Sequence, residues 1–210
     1  MFEISNLTCF RGDRALFSQL DFTLNQGELL HLKGHNGSGK TTLIRTLCGL
    51  LEAAEGTILW HDNPIQNNSD YFQNLLYLGH KNAIKDDLDC VENLQFNCAL
   101  SGHSINEKKA LQALKKIGLK GHESLFAKVL SQGQQRRLAL ARLLLSKQSL
   151  WILDEPLTAL DKAAIALLEA TISQHLKQQG MVILTTHQDT LIPQQNIKTL
   201  ELGWKEAGNV

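Results

Sequence analysis

The sequence predicts an α/β fold with a core of parallel strands, an antiparallel β edge and an inserted helical subdomain. Three observations carry this. Residues 1–60 read mostly as strands between turn signals, and residues 89–128 switch to helical periodicity. Beyond Ser131, helices alternate with short, wholly apolar strands. Strands of that last kind are buried on both faces, the mark of a parallel sheet covered by helices.

The early strands fall at 2–7, 15–24, 28–33 and 57–60, where apolar residues alternate or cluster between turns such as Arg11-Gly12-Asp13 and Asn25-Gln26-Gly27. A helix over about 40–48 interrupts them, with Leu43, Ile44 and Leu47 on one face and Gly49 as its stop. In the middle region Ala110, Leu111, Leu114 and Ile117 are spaced for one buried helical face. After Ser131 the spacing predicts a helix to about Ser146, a strand at 150–153, a helix at 162–178 and a strand at 181–186. Ile165, Leu168, Ile172 and Leu176 form the apolar stripe of that later helix.

Composition excludes several functional classes. The 210 residues are 43% hydrophobic and 20% charged, as expected of one globular chain with a sizeable core. Formal net charge is zero, without the basic excess or stripe of a nucleic-acid binder, so no nucleic-acid partner is expected. The N-terminus lacks the charged and apolar regions of a secretory signal. No apolar run approaches the ~18 residues needed to span a bilayer, so a membrane role requires a partner. The four cysteines form no CxxC pair and read as reduced thiols, and the eight histidines are scattered rather than grouped as metal ligands.

Two segments carry chemistry. Gly34, His35, Asn36, Gly37, Ser38, Gly39, Lys40 and Thr41 fit G-x-x-x-x-G-K-[ST] between a strand and a helix, with Thr42 continuing the stretch. Glycines there let successive N–H groups face phosphate oxygens, and the helix N-terminus adds positive potential. Lys40 is suited to the β- and γ-phosphates and the Thr41 hydroxyl to Mg²⁺. The apolar strand ending in Asp154-Glu155 supplies two acids at the strand end where α/β sheets bind ligands. Asp154 is suited to hold Mg²⁺, and Glu155 to polarise the water that attacks the γ-phosphate.

A third segment, Leu130-Ser131-Gln132-Gly133-Gln134-Gln135-Arg136-Arg137, resembles the LSGGQ signature of ABC ATPases, with Gln132 replacing the first glycine. Ser131 is placed to cap a helix, and Gly133 permits close approach of an anion. The resemblance implies a P-loop NTPase of the ABC ATPase type with an antiparallel β subdomain, a single nucleotide-binding domain over 1–210 with its helical subdomain at about 82–130. It further implies that Ser131, Gly133 and Gln134 face the γ-phosphate of ATP held by a second copy in a homodimer.

Other positions follow the same family order. Thr158-Ala159-Leu160-Asp161 resembles the loop that contacts the partner subunit, and His187 the switch histidine at the γ-phosphate. Phe10 stands where members stack an aromatic ring on adenine, although a first-strand phenylalanine serves equally well as core. One position departs from the family: His80 replaces the glutamine that touches Mg²⁺ and the attacking water. An imidazole there either takes over that role with different geometry and pH response or only fills the loop.

Further runs, among them Tyr77-Leu78-Gly79-His80, Glu92-Asn93-Leu94 and Trp151-Ile152-Leu153-Asp154-Glu155-Pro156, resemble the ATPases of bacterial cytochrome c maturation. That resemblance implies a peripheral subunit on the cytoplasmic face of the inner membrane, bound to integral partners resembling CcmB and CcmC. Its activity would energise haem delivery to a periplasmic chaperone, with no direct haem binding by the ATPase. The alternative is an exporter ATPase for another small hydrophobic cargo.

Overall fold

Two sheets form the structure, a computed structural model that describes residues 1–186 and 197–203. The first is antiparallel: β1 (Phe2–Arg11), β2 (Arg14–Leu24), β4 (Glu55–Trp60) and the short β5 (Asn63–Pro64) in the order β2-β1-β4-β5. The second is parallel and contains β3 (Leu29–Lys33), β6 (Leu75–Leu78), β7 (Leu150–Asp154), β8 (Met181–Thr185) and β9 (Ile197–Glu201), in the order β6-β7-β8-β3-β9. The antiparallel β subdomain expected from the sequence is thus a sheet of its own.

Strand alternation divides the core. Leu150 and Ile152 of β7, Met181 and Ile183 of β8, and Leu30 and Leu32 of β3 pack toward the antiparallel sheet, α1 (Lys40–Leu47) and Tyr71 of the short α2 (Ser69–Asn74). Trp151, Leu153, Val182 and Leu184 pack on the opposite face, against α3 (Cys90–Leu100), α4 (Glu107–Lys116), α5 (Gln132–Ala141) and α6 (Lys162–Lys177). Every residue of β7 and β8 is buried, which explains why all but their last residues, Asp154 and Thr185, are apolar. Truncating one such residue to alanine costs about 2–5 kcal/mol, a large part of the ~5–15 kcal/mol that holds a domain folded.

Three elements differ from the sequence reading. The first strand continues beyond Leu7 to Arg11 because register shifts between Ile4 and Phe10, with Asn6 at φ 52°, break the period-2 pattern. Helix α5 ends at Ala141 rather than near Ser146: residues 142–145 form successive tight turns, Leu143 N bonding Leu140 O at 3.0 Å and Leu145 N bonding Arg142 O at 3.1 Å. Strand β9, with only Ile197 and Leu200 half-buried, lacks an apolar run to announce it. Its place at the sheet edge depends on β3, and Lys198 ties it to Glu28 at 2.7 Å. The four cysteines are buried free thiols, and burial beside Asp154 pushes Cys48 up to about 12.

Candidate nucleotide site

The phosphate loop follows β3, the central partner of β8 and β9, and leads directly into α1. Gly34 has φ 148°, and a Cβ there would lie 2.6 Å from Leu202 O and 2.5 Å from Ser38 Oγ. Gly39 caps α1 in the left-handed region at φ 100°. The Lys40 ammonium donates to Gly34 O at 2.6 Å and His35 O at 3.1 Å, closing the loop on itself. Ser38 Oγ is buried and makes no hydrogen bond to the described residues.

Asp154 and Glu155 follow from β7 beside this loop. A cleft of about 400 Å³ is lined by Asn36, Gly37, Gly39, Lys40, Thr41 and Thr42 on one side and by His80, Asp154, Glu155 and Thr158 on the other. Asp154 is 6% exposed; its Oδ1 accepts from the Thr185 hydroxyl at 2.8 Å. The same hydroxyl accepts from the Glu155 amide at 2.9 Å. Glu155 adopts φ 49°, a left-handed conformation that costs a non-glycine residue on the order of 1–3 kcal/mol. It is held on both sides, by Thr185 at its amide and by Arg136 at its carbonyl, the latter at 2.7 Å.

The signature segment opens α5 as expected. Ser131 caps the helix in a capping box, its Oγ accepting from Gln134 N at 3.3 Å and its amide donating to Gln134 Oε1 at 2.9 Å. Gln134 Nε2 lies 2.9 Å from His122 Nε2. A Cβ on Gly133 would stand 3.3 Å from Ala159 O, so the helix start and the loop after Glu155 are in close contact. Arg137 pairs with Asp161, which also caps α6 by accepting from Ala164 N at 2.9 Å.

Most of the residues singled out in the sequence thus share one cleft. Gly34, His35 and Ser38 shape its loop rather than its wall, and Ser131, Gly133 and Gln134 stand apart on the start of α5. Phe10 is 51% exposed on β1, and the cleft wall near it is supplied by Arg11 and Leu16. His187 lies outside the described residues. Sequence reasoning missed Thr185 and Arg136. Thr185 is legible only as a hydroxyl near the end of an apolar strand, and Arg136 only as a member of the signature segment.

The comparisons with known proteins agree with this geometry. The profile of the ABC transporter family matches residues 17–158, more than half of the chain. The chain belongs to the ABC transporter ATPase family. Among its relatives, a Nitrosospira multiformis protein named cytochrome c biogenesis ATP-binding export protein CcmA is 52% identical over 94% of this chain and 96% of its own length. The Vibrio cholerae protein of the same name is 48% identical, covering 97% and 99%. A putative ABC transporter ATP-binding protein from Pyrococcus furiosus superposes with a TM-score of 0.82 at 24% identity, covering 96% of both chains. A bacterial ABC transporter cassette solved as a dimer gives 0.80 at 21%, covering 96% and 94%. At that identity the structural likeness establishes the fold of the cassette, and the family membership makes this cassette an ATPase that binds ATP.

Proposed function

We propose that this cassette is the ATP-hydrolysing subunit of an exporter that serves cytochrome c maturation, powering haem delivery to a periplasmic chaperone. The observation that carries the chemistry is the single cleft joining Lys40 and Thr41 to Asp154, Glu155 and His80. The cargo rests on the CcmA relatives, about half identical over nearly their whole lengths. The whole of 1–210 acts as one nucleotide-binding domain, with the helical subdomain at about 82–130.

In this reading Lys40 and the loop amides of 34–42 hold the triphosphate, and Glu155 orients the attacking water. The Thr41 hydroxyl and the Asp154 carboxylate are hard oxygen donors on one cleft and fit Mg²⁺, which neutralises phosphate charge when bound. His80 would stand beside that ion and the attacking water, in the position of the family's glutamine. His187 completes the γ-phosphate contacts, and Phe10 or its neighbour Arg11 meets the adenine. Ser131, Gly133 and Gln134 act on the ATP of a second copy, so the working unit is a homodimer seated on integral subunits resembling CcmB and CcmC at the cytoplasmic face of the inner membrane. No helix among the described residues is long and apolar enough to cross that membrane.

The test is Glu155→Gln. It should retain ATP binding, lose hydrolysis by ~10²–10⁴-fold, accumulate an ATP-bound dimer, and abolish cytochrome c maturation in cells. Turnover near that of the parent in the purified complex overturns the assignment of Glu155; unimpaired maturation overturns the cargo.

A further inference from the structure

Arg136 is 5% exposed, one of the few charged side chains buried among the described residues. Burial of a cation is unfavourable unless partners are fixed around it. Here one nitrogen, Nη1, donates to Gly79 O and Asn82 Oδ1, each at 3.1 Å. The other, Nη2, donates to Glu155 O at 2.7 Å and Asp154 O at 3.4 Å. The planar fork therefore spans two chain segments. One is the turn at 79–82 that carries His80; the other is the end of β7 that carries the two acids. A lysine could not bridge them, because its single ammonium lacks two divergent donor groups on a rigid plane.

Both segments need external restraint. Glu155 is in the left-handed region, where an ordinary residue persists only if its surroundings over-determine it. Residues 79–89 form the connection from β6 to α3, and their far half is pinned separately. Buried Asn93 of α3 accepts from Lys85 N at 2.7 Å, and its two amide hydrogens are shared among Lys85 O, Leu88 O and Asp89 O, 2.9–3.0 Å from Nδ2. The near half, with His80, is held by Arg136. The guanidinium belongs to α5, the helix that Ser131 caps, so three parts of the site share one rigid element. Its neighbour Arg137, about 100° around the helix, faces another way and grips Asp161.

We propose that Arg136 is a positioning residue for hydrolysis, holding the His80 turn and the Glu155 main chain in register with the signature helix. The proposal rests on Glu155 acting at the attacking water. Arg136 touches neither nucleotide nor water in this role. Its effect is confined to the alignment of groups that do, and therefore falls on turnover and not on ATP affinity.

The experiment uses the full-length chain co-expressed with its membrane subunits, as Arg136→Met, Arg136→Lys, Asn82→Ala and the Arg136→Met/Asn82→Ala pair, with Glu155→Gln alongside. Turnover, KM for ATP, nucleotide Kd and thermal midpoint are measured for each. Arg136→Met should lose about 10- to 100-fold in kcat, the scale of a misplaced reacting group, with KM and Kd within about threefold. Arg136→Lys should fall nearly as far because one ammonium cannot replace the fork. Asn82→Ala removes a single bond outside the core and should lose several-fold in kcat while remaining folded. The double variant should be no slower than Arg136→Met, because the two changes cut the same link.

If Arg136→Met fails to fold, Asn82→Ala and Arg136→Lys decide the matter. Parental kcat in both folded variants overturns the proposal, as does a kcat loss in Arg136→Met that is matched by lost nucleotide binding. Parental turnover in Glu155→Gln would instead overturn the Glu155 assignment on which the proposal rests.

Discussion

The Thr185 hydroxyl donates to Asp154 Oδ1 at 2.8 Å while accepting from the Glu155 amide at 2.9 Å. One buried side chain on β8 thus orients the carboxylate suited to Mg²⁺ and fixes the backbone of the residue suited to activate water. Thr185 sits opposite Asp154 in the parallel register, which is why a residue 31 positions away reaches both.

Thr185→Val keeps the shape and removes the hydroxyl. A hydrogen bond to a charged group contributes about 1.5–3 kcal/mol, so Vmax should fall about 10- to 100-fold, with nucleotide binding retained. Steady-state ATPase assays with a parallel binding titration check this. Parental activity in Thr185→Val would show that Asp154 and Glu155 hold their geometry without it.

Ser131→Arg should abolish hydrolysis while its own phosphate loop still binds ATP, because in the proposed dimer the bulky cation would occupy the face presented to the opposing γ-phosphate. The change also removes the N-cap of α5, worth about 0.5–2 kcal/mol, so Ser131→Ala serves as the stability control. Mixing Ser131→Arg subunits with Lys40→Ala subunits tests the shared site. One composite site then carries both defects and the other neither, and partial recovery of activity in the mixture is the expected result.

His80 lines the cleft with Thr41, Asp154 and Glu155, and the proposed reading has it act there rather than only fill the loop. His80→Ala should retain ATP binding yet uncouple hydrolysis from maturation, and His80→Gln should retain ATPase activity. Hydrolysis in the purified complex and cytochrome c content in cells are the paired measurements. Parental values for His80→Ala in both would reduce His80 to packing.

His175 provides a pH-dependent stability test away from the site. Its ring stacks on Trp151 at 3.7 Å between centroids, and Nε2 lies 3.2 Å from Ser149 O. Burial holds it below the ordinary 6.5, partly offset by backbone hydrogen bonds at Ser149 and Met181. Above that value neither the folded nor the unfolded chain carries the proton. Below it the unfolded chain protonates first, so stability should fall as pH drops through about 6.5 toward the lower folded value. Thermal midpoints between about pH 7.5 and 5 should decline less steeply for His175→Phe than for the parent.

The motifs were legible because each is local. The phosphate loop needs glycine freedom and a lysine within a few residues, and the signature needs a helix cap followed by glycine. Strands β7 and β8 announce themselves because burial on both faces demands apolar residues up to their polar last positions. Helix α6 follows from its apolar stripe, and its start from the Asp161 cap. Those features depend on neighbours in sequence, so hydrophobic spacing and capping chemistry are sufficient to find them.

The sequence by itself therefore determined the cassette's class, its phosphate loop, its acid pair and its signature helix. Only the tertiary structure decided the edge strand β9, the left-handed Glu155 and the partners of Thr185 and Arg136. Those depend on contacts between residues tens to more than a hundred positions apart, such as Arg136 with Gly79 and β3 with β9. Such contacts carry no periodic signature. A threonine that ends a strand or an arginine in a polar run looks the same in sequence whether solvated or buried. Its role is set by which chain segments the packed sheet brings within hydrogen-bonding distance.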